Sequence, residues 1–283
     1  MVKAIRKFCS AVERTCFVQK PFNYDHHGDD WELASDVRCG KQQSPIAINR
    51  KKICLSKASK LHFLNYHKPL AGPLKFHNTG TTAKLYFSAV EDGTLPGICG
   101  CVLESVYQAV QMHFHWGSES SKGAEHTIDG VRHDGELHIV HKNCAYSTKS
   151  EAMCSPDGFV VLAILLRAVT KPKVEPVGLN KILQQVKQLQ EFGSITTIKP
   201  QMKMNELFAN IKTDEFFSYK GSLTTPPCVE AVNWFVFPKA LEVGKKYLRH
   251  FWCLQDSYDK LVINNYRNLQ DIHDRTVYFR SMM

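Results

Sequence analysis

Eight consecutive apolar residues, Phe159-Val-Val-Leu-Ala-Ile-Leu-Leu166, constrain this chain more than any other stretch of it. The run is far shorter than the ~20 residues of a membrane span. It is also too uniformly apolar for a strand with one wet face. It predicts a central strand buried on both sides, and so a sheet with material packed over each face. Around it, from about 60 to 170, apolar–polar alternation dominates, as in Ala83-Lys-Leu-Tyr-Phe87, with turn residues between. Helical spacing is rarer: Leu179, Ile182, Leu183, Val186 and Leu189 follow it with Gly193 as a stop, and 239–251 read as another short helix. Strands that outnumber and scatter among helices predict an α+β, mainly β domain on one large sheet.

The chain has 283 residues, 43% of them hydrophobic, enough for one large core. No repeat or linker divides it. Residues 1–20 read as an appended segment and 21–283 as a single domain. The net charge of +9 is spread along the chain without a basic helix or aromatic–basic motif, which predicts a solvated basic surface and no nucleic-acid partner. No apolar run is long enough to span a membrane, and there is no hydrophobic C-terminal tail. Met1 to Lys20 carries Lys3, Arg6, Lys7 and Arg14 without an apolar core, unlike a signal peptide, and the chain has no Asn-x-Ser/Thr sequon. This favours the cytoplasm and leaves mitochondrial and extracellular locations as alternatives. The ten cysteines match no zinc-finger spacing.

The residues with the most chemistry lie on two strand-like segments, Gln111-Met-His-Phe-His-Trp-Gly117 and Glu136-Leu-His-Ile-Val-His141. Alternation puts His113 and His115 on one face, with Met112, Phe114 and Trp116 on the other. His138 lies on a segment that can pair with the first and supply a third imidazole. Three neutral imidazoles with a fourth position open make a catalytic zinc site, since a structural site fills all four. Gln111 and Glu136 stand two residues before His113 and His138, placed to accept the spare ring N–H of each. Spacing alone leaves a packed or solvated histidine pair as an equal alternative.

Four further motifs accompany the histidines: Gln43-Ser-Pro-Ile46, Ala124-Glu-His-Thr127, Ser222-Leu-Thr-Thr-Pro-Pro227 and Asn265-Tyr-Arg267. Together they resemble the α-class carbonic anhydrases, from about Phe22 to Arg267. The resemblance implies a twisted, mostly antiparallel sheet of about ten strands with peripheral helices. It implies reversible hydration of carbon dioxide to bicarbonate and a proton by zinc-bound hydroxide in a monomer, with sulfonamides or anions inhibiting at the metal. By resemblance His113, His115 and His138 hold Zn2+, while Thr224 orients the hydroxide and donates its own hydrogen to Glu125. Tyr219 supports that pair from behind. Val140, Val161, Leu223, Thr225, Val232 and Trp234 form the substrate wall, and His126 and His141 are buried structural histidines.

Two points depart from the family pattern. Extracellular members carry a disulfide between the regions of Cys39 and Cys228, but Cys39 is one position off. The rim position where fast members carry a proton-shuttling histidine is Thr81, and Lys84 takes another rim position. Threonine has no pKa near neutrality, so turnover is expected to be limited by proton transfer. His77 is near in sequence, with its direction left open. The alternative is a non-catalytic relative acting as a binding module. Such relatives lose zinc histidines, and this chain has all three.

Overall fold

The computed structural model describes residues 21–31, 40–57, 59–199 and 201–281. The segment 1–20 and Cys39, with its expected disulfide, lie outside them. Ten strands follow one another across the main sheet: β1 (Cys54–Lys57), β2 (Leu74–Asn78), β3 (Ala83–Tyr86), β4 (Leu103–Trp116), β5 (Gly135–Asn143), β6 (Phe159–Val169), β7 (Ile195–Ile198), β8 (Phe216–Gly221), β9 (Val232–Val236) and β10 (Tyr278–Ser281). Their spatial order is β7-β2-β3-β4-β5-β6-β9-β8-β10-β1. Neighbours run antiparallel, except that β6–β9 and β10–β1 are parallel. The mainly β expectation with about ten strands holds. No helix among the described residues is long and apolar enough to cross a membrane.

β6 behaves as its composition requires. Phe159, Val161, Ala163 and Leu165 enter one apolar core, and Val160, Leu162, Ile164 and Leu166 enter the other. Helices cover little of the sheet: α1 (Lys149–Met153), α2 (Val177–Leu183) and α3 (Lys245–Leu248) are all short. The helical spacing from Leu179 to Leu189 does bury all five apolar residues. The α-helix ends well before Gly193, however, because at Gln185 the backbone tightens to an N–H bond to the Ile182 carbonyl and continues as a 3-10 turn. The 239–251 segment is only half helical. Leu241–Gly244 is a strand parallel to β6, its buried Leu241 and Val243 alternating with Glu242, and α3 starts after it.

A bulge in β4 matters for the site. Ala109 stands opposite His141 and Gln111 opposite Val140, which leaves Val110 as the extra residue. Tyr107 and Ala109 pack into the core that takes Leu162, and the bulge shifts the phase so that Met112, Phe114 and Trp116 also enter it. The odd-numbered residues 111, 113 and 115 are thereby turned to the opposite face.

His141 lies beyond the bulge, fully buried. Its Nδ1–H donates to the Ile139 carbonyl at 3.1 Å, so Nε2 accepts from the Tyr66 hydroxyl at 2.5 Å. Burial pushes its pKa down to about 3. The native imidazole therefore stays neutral while the unfolded chain takes up a proton below pH ~6.5. Its contribution is undiminished above that pH and is lost as pH falls toward the native value. From pH 6.5 to 5.0 the expected loss is roughly 2 kcal/mol. Urea unfolding of metal-free protein at the two pH values should show it, and His141→Leu should remove that share. An unchanged pH slope in the variant would contradict this reading.

Candidate metal centre

The pairing of β4 with β5 sets His113 opposite His138 and His115 opposite Glu136. Directly opposed residues share a face, so two rows cross the sheet. One runs Lys84, His113, His138, Ala163, Val236, and the other Tyr86, Gln111, Val140, Val161, Trp234, Tyr219. The expected ligands and much of the expected substrate wall thus lie on one face. His77 stands opposite Lys84 and joins the first row, two strands from His113.

The three rings cluster tightly. Their centroids are 5.1 Å apart for His113–His115, 5.2 Å for His113–His138 and 4.6 Å for His115–His138. One nitrogen of each ring lies within 4.8 Å of the others. The opposite nitrogens are already committed: His113 Nδ1 to Gln111 Oε1 at 2.9 Å, His115 Nδ1 to the Asn265 carbonyl at 2.8 Å, and His138 Nε2 to Glu136 Oε1 at 2.7 Å. All three acceptors are oxygens, so these nitrogens carry the hydrogens, and His113 Nε2, His115 Nε2 and His138 Nδ1 are left as lone pairs. Burial keeps the rings neutral, lowering His113 and His138 and pushing His115 down to about 4. Among the described residues His115 Nε2 is buried without a hydrogen-bond partner. An orphaned lone pair beside two others is the donor set that zinc prefers, and the residues fit the metal.

A second triple, His126, Glu136 and His138, is equally close. Its atoms bind one another instead: Glu136 Oε1 accepts from His126 Nδ1 at 2.6 Å and from His138, and Oε2 accepts from the His126 backbone N–H at 2.8 Å. Burial alone would raise the Glu136 carboxyl, but His126 beside it and the hydrogen bonds from both histidines hold it well below the usual carboxylate range. The Tyr219 hydroxyl lies 2.6 Å from His126 Nε2 and 3.0 Å from Ser44 Oγ, which also accepts the Ser222 N–H. Tyr219 therefore sits behind His126, and it reaches the Thr224 segment through Ser44 and Ser222.

Glu125 and Thr224 are both buried next to the cluster. Glu125 Oε2 is 3.5 Å from His115 Nε2 and 3.9 Å from His138 Nδ1, while Oε1 accepts the Arg267 N–H at 3.0 Å. Burial pushes this carboxyl up to about 7, against the opposing pull of His138, the Thr224 side chain and the Arg267 N–H. Val140, Val161, Val232 and Trp234 share one buried apolar cluster with Leu223 packed on it, and the Trp234 ring lies 4.8 Å from that of His138. Thr225 is half-buried in the following turn, its carbonyl accepting the Cys228 N–H. Thr81 is also half-buried, with its hydroxyl 3.2 Å from that of Thr79.

Sequence reasoning gave no individual role to Asn265, which ties the site together. Its carbonyl orients His115, its Oδ1 accepts the Trp116 N–H at 2.7 Å, and its Nδ2 donates to the carbonyls of Thr81 and Phe114. Arg267 joins two other motifs, its backbone N–H donating to Glu125 Oε1 and its side chain to Gln43 Oε1 at 2.8 Å and the Ser44 carbonyl at 2.9 Å. No local periodicity marks contacts made across 140 or more residues.

Comparison with known proteins agrees with this geometry. The profile of the eukaryotic-type carbonic anhydrase family matches residues 26–281. Human carbonic anhydrase 6 is 33% identical over 249 residues, covering 84% of this chain and 75% of that protein. Human mitochondrial carbonic anhydrase 5A is 30% identical over 277 residues, with 96% and 86% covered, and horse carbonic anhydrase 3 is 30% identical over 258 residues, with 89% and 95% covered. A match that runs through every strand of the main sheet and all three converging histidines places the chain in the eukaryotic-type carbonic anhydrase family.

Proposed function

We propose that this protein is a zinc enzyme that hydrates carbon dioxide reversibly to bicarbonate and a proton. The observation that carries the reading is the convergence of three neutral imidazole lone pairs, two on buried rings and one on the half-buried His113, with that of His115 orphaned among the described residues. Zinc held by His113, His115 and His138 would supply a water acidic enough to ionise near neutral pH. The protein's own groups do the rest. Gln111, Glu136 and the Asn265 carbonyl fix the ring orientations. A positive charge on the lone pairs beside Glu125 Oε2 would favour its anion, which accepts a hydrogen bond from the Thr224 hydroxyl. The Thr224 oxygen is left as an acceptor that admits only a partner bearing a hydrogen, which orients a hydroxyl nucleophile and disfavours bare anions. Val140, Val161, Leu223, Val232 and Trp234 give the apolar substrate a wall beside the histidines, with Thr225 at its edge. Sulfonamides and small anions are the inhibitors expected at the metal.

Stopped-flow carbon dioxide hydration on protein of assayed zinc content tests this. Activity proportional to one bound zinc supports the enzyme, and stoichiometric zinc without hydration would favour the binding module. Each turnover also releases a proton, and Thr81 cannot carry it. Thr81→His is expected to raise turnover in dilute buffer at least about tenfold, a cautious fraction of the ~10²–10⁴-fold that a positioned acid–base group supplies. Unchanged turnover would show that proton release is not limiting.

A further inference from the structure

The sheet face turned away from the histidines carries a second concave site. A cavity of about 380 Å³ opens over β8, β9 and β10, within the size range of small-molecule sites. Most of its strand lining is on the far face, since Ser218 and Lys220 flank Tyr219, and Asn233 and Phe235 flank Trp234, along their strands; Tyr219 also lines it, with the Arg275 guanidinium 5.7 Å from its ring. Lys220, Arg275 and Arg280 line it with Ser218, Asn233 and Tyr278, and no carboxylate among the described residues does.

The cations are held in place by neutral groups. Arg280 is about nine-tenths buried, at 9% exposure. Its Nε donates to Ser218 Oγ at 2.6 Å and one Nη to Ser56 Oγ at 3.0 Å, and its guanidinium stacks 5.2 Å from the Tyr278 ring. Arg275 donates to three carbonyls, those of Ile272, Lys220 and Asp271, which fix its guanidinium without neutralising it. Of the acids nearby, Asp214 lies with Arg280 in a separate, smaller cavity, while Glu230, whose charge also acts on Arg275, is engaged by the Gln42 N–H and Gln43 Nε2 at its Oε1 and makes no ion pair with the three cations among the described residues. Three positive charges lining one partly enclosed cavity of mixed polarity attract an oxyanion, and guanidinium groups with fixed orientation suit its geometry. Phe235, Tyr278 and Val102 supply an apolar flank for the body that carries it.

We propose that this cavity is a second, non-catalytic site that binds a small organic molecule through an oxyanion, phosphate or carboxylate, seated among Lys220, Arg275 and Arg280. Calorimetric titration at low ionic strength with phenyl phosphate and with benzoate tests it, and the comparison of the two identifies the preferred oxyanion. At least one probe should bind with a Kd at or below about 1 mM, more weakly as salt is added. Arg280→Gln should weaken binding about tenfold or more and the exposed Lys220→Gln severalfold, whereas His115→Ala should leave it unchanged. Lys220→Gln keeps the test open should Arg280→Gln not fold. Absence of saturable binding of both probes to the wild-type protein would overturn the proposal. So would an affinity that survives Lys220→Gln and a folded Arg280→Gln, or one that is lost in His115→Ala, which would place the anion at the histidines instead.

Discussion

His115→Ala is expected to abolish stoichiometric zinc binding and, with it, carbon dioxide hydration. Among the described residues His115 presents the one cluster nitrogen that is buried without a hydrogen-bond partner, with Glu125 Oε2 3.5 Å away, so its lone pair is available to a cation. Changes to the outer partners of metal ligands cost about 10–100-fold in affinity, and loss of a ligand itself should exceed the top of that range. The variant also leaves the Asn265 carbonyl without its imidazole donor, which costs about 1–3 kcal/mol when such a group stays dry. Zinc content after dialysis, followed by stopped-flow hydration, reads both effects. A variant that keeps one zinc and wild-type turnover would move the centre away from these three histidines.

Glu136→Ala should cause the largest loss of stability. This carboxylate is fully buried and accepts three hydrogen bonds, two from His126 and one from His138. Removing it strands all three donors inside the protein. Breaking such a buried network costs about 3–5 kcal/mol, or roughly 6–20 °C in Tm for a domain of this size. Zinc affinity should fall about 10–100-fold as His138 loses its orienting partner. Glu136→Gln keeps an acceptor but turns a donor toward one of the histidines, and should fall between the two. Thermal unfolding with zinc and with chelator separates the structural part of the loss from the metal part. A Tm equal to wild type in both conditions would show that the hub is not structural.

Much of this was legible in the chain because the signals are local. An unbroken apolar run can only be a strand with two dry faces, and β6 divides its side chains between two cores as that requires. Alternation within five residues was enough to place His113 and His115 together and Met112 and Phe114 away from them. The same rule counted from Tyr107 and Ala109 would have turned the histidines into the wrong core, because the bulge at Val110 resets the phase. Bulges depend on how two strands meet, which one strand's sequence does not contain. Asn265 and Arg267 were visible only as part of a resemblance, since their hydrogen bonds close loops of 140 residues and more. In 239–251, the alternation of Leu241, Glu242 and Val243 is too short to distinguish a strand from the helical segment that follows it by periodicity alone.

The opposition of His113 and His138 across two strands has a consequence for folding fidelity. A slip of one residue between β4 and β5 would send His138 to the far face, carrying Leu137 and Ile139 into its place. A slipped sheet therefore has no three-imidazole cluster, and bound zinc would distinguish the correct pairing from its nearest competitors. Binding only the correct form, the metal would stabilise it by about 4 kcal/mol at a thousand times its Kd. Besides any chemistry it supports, zinc would act as an editor of strand pairing, selecting the one alignment that gathers its ligands.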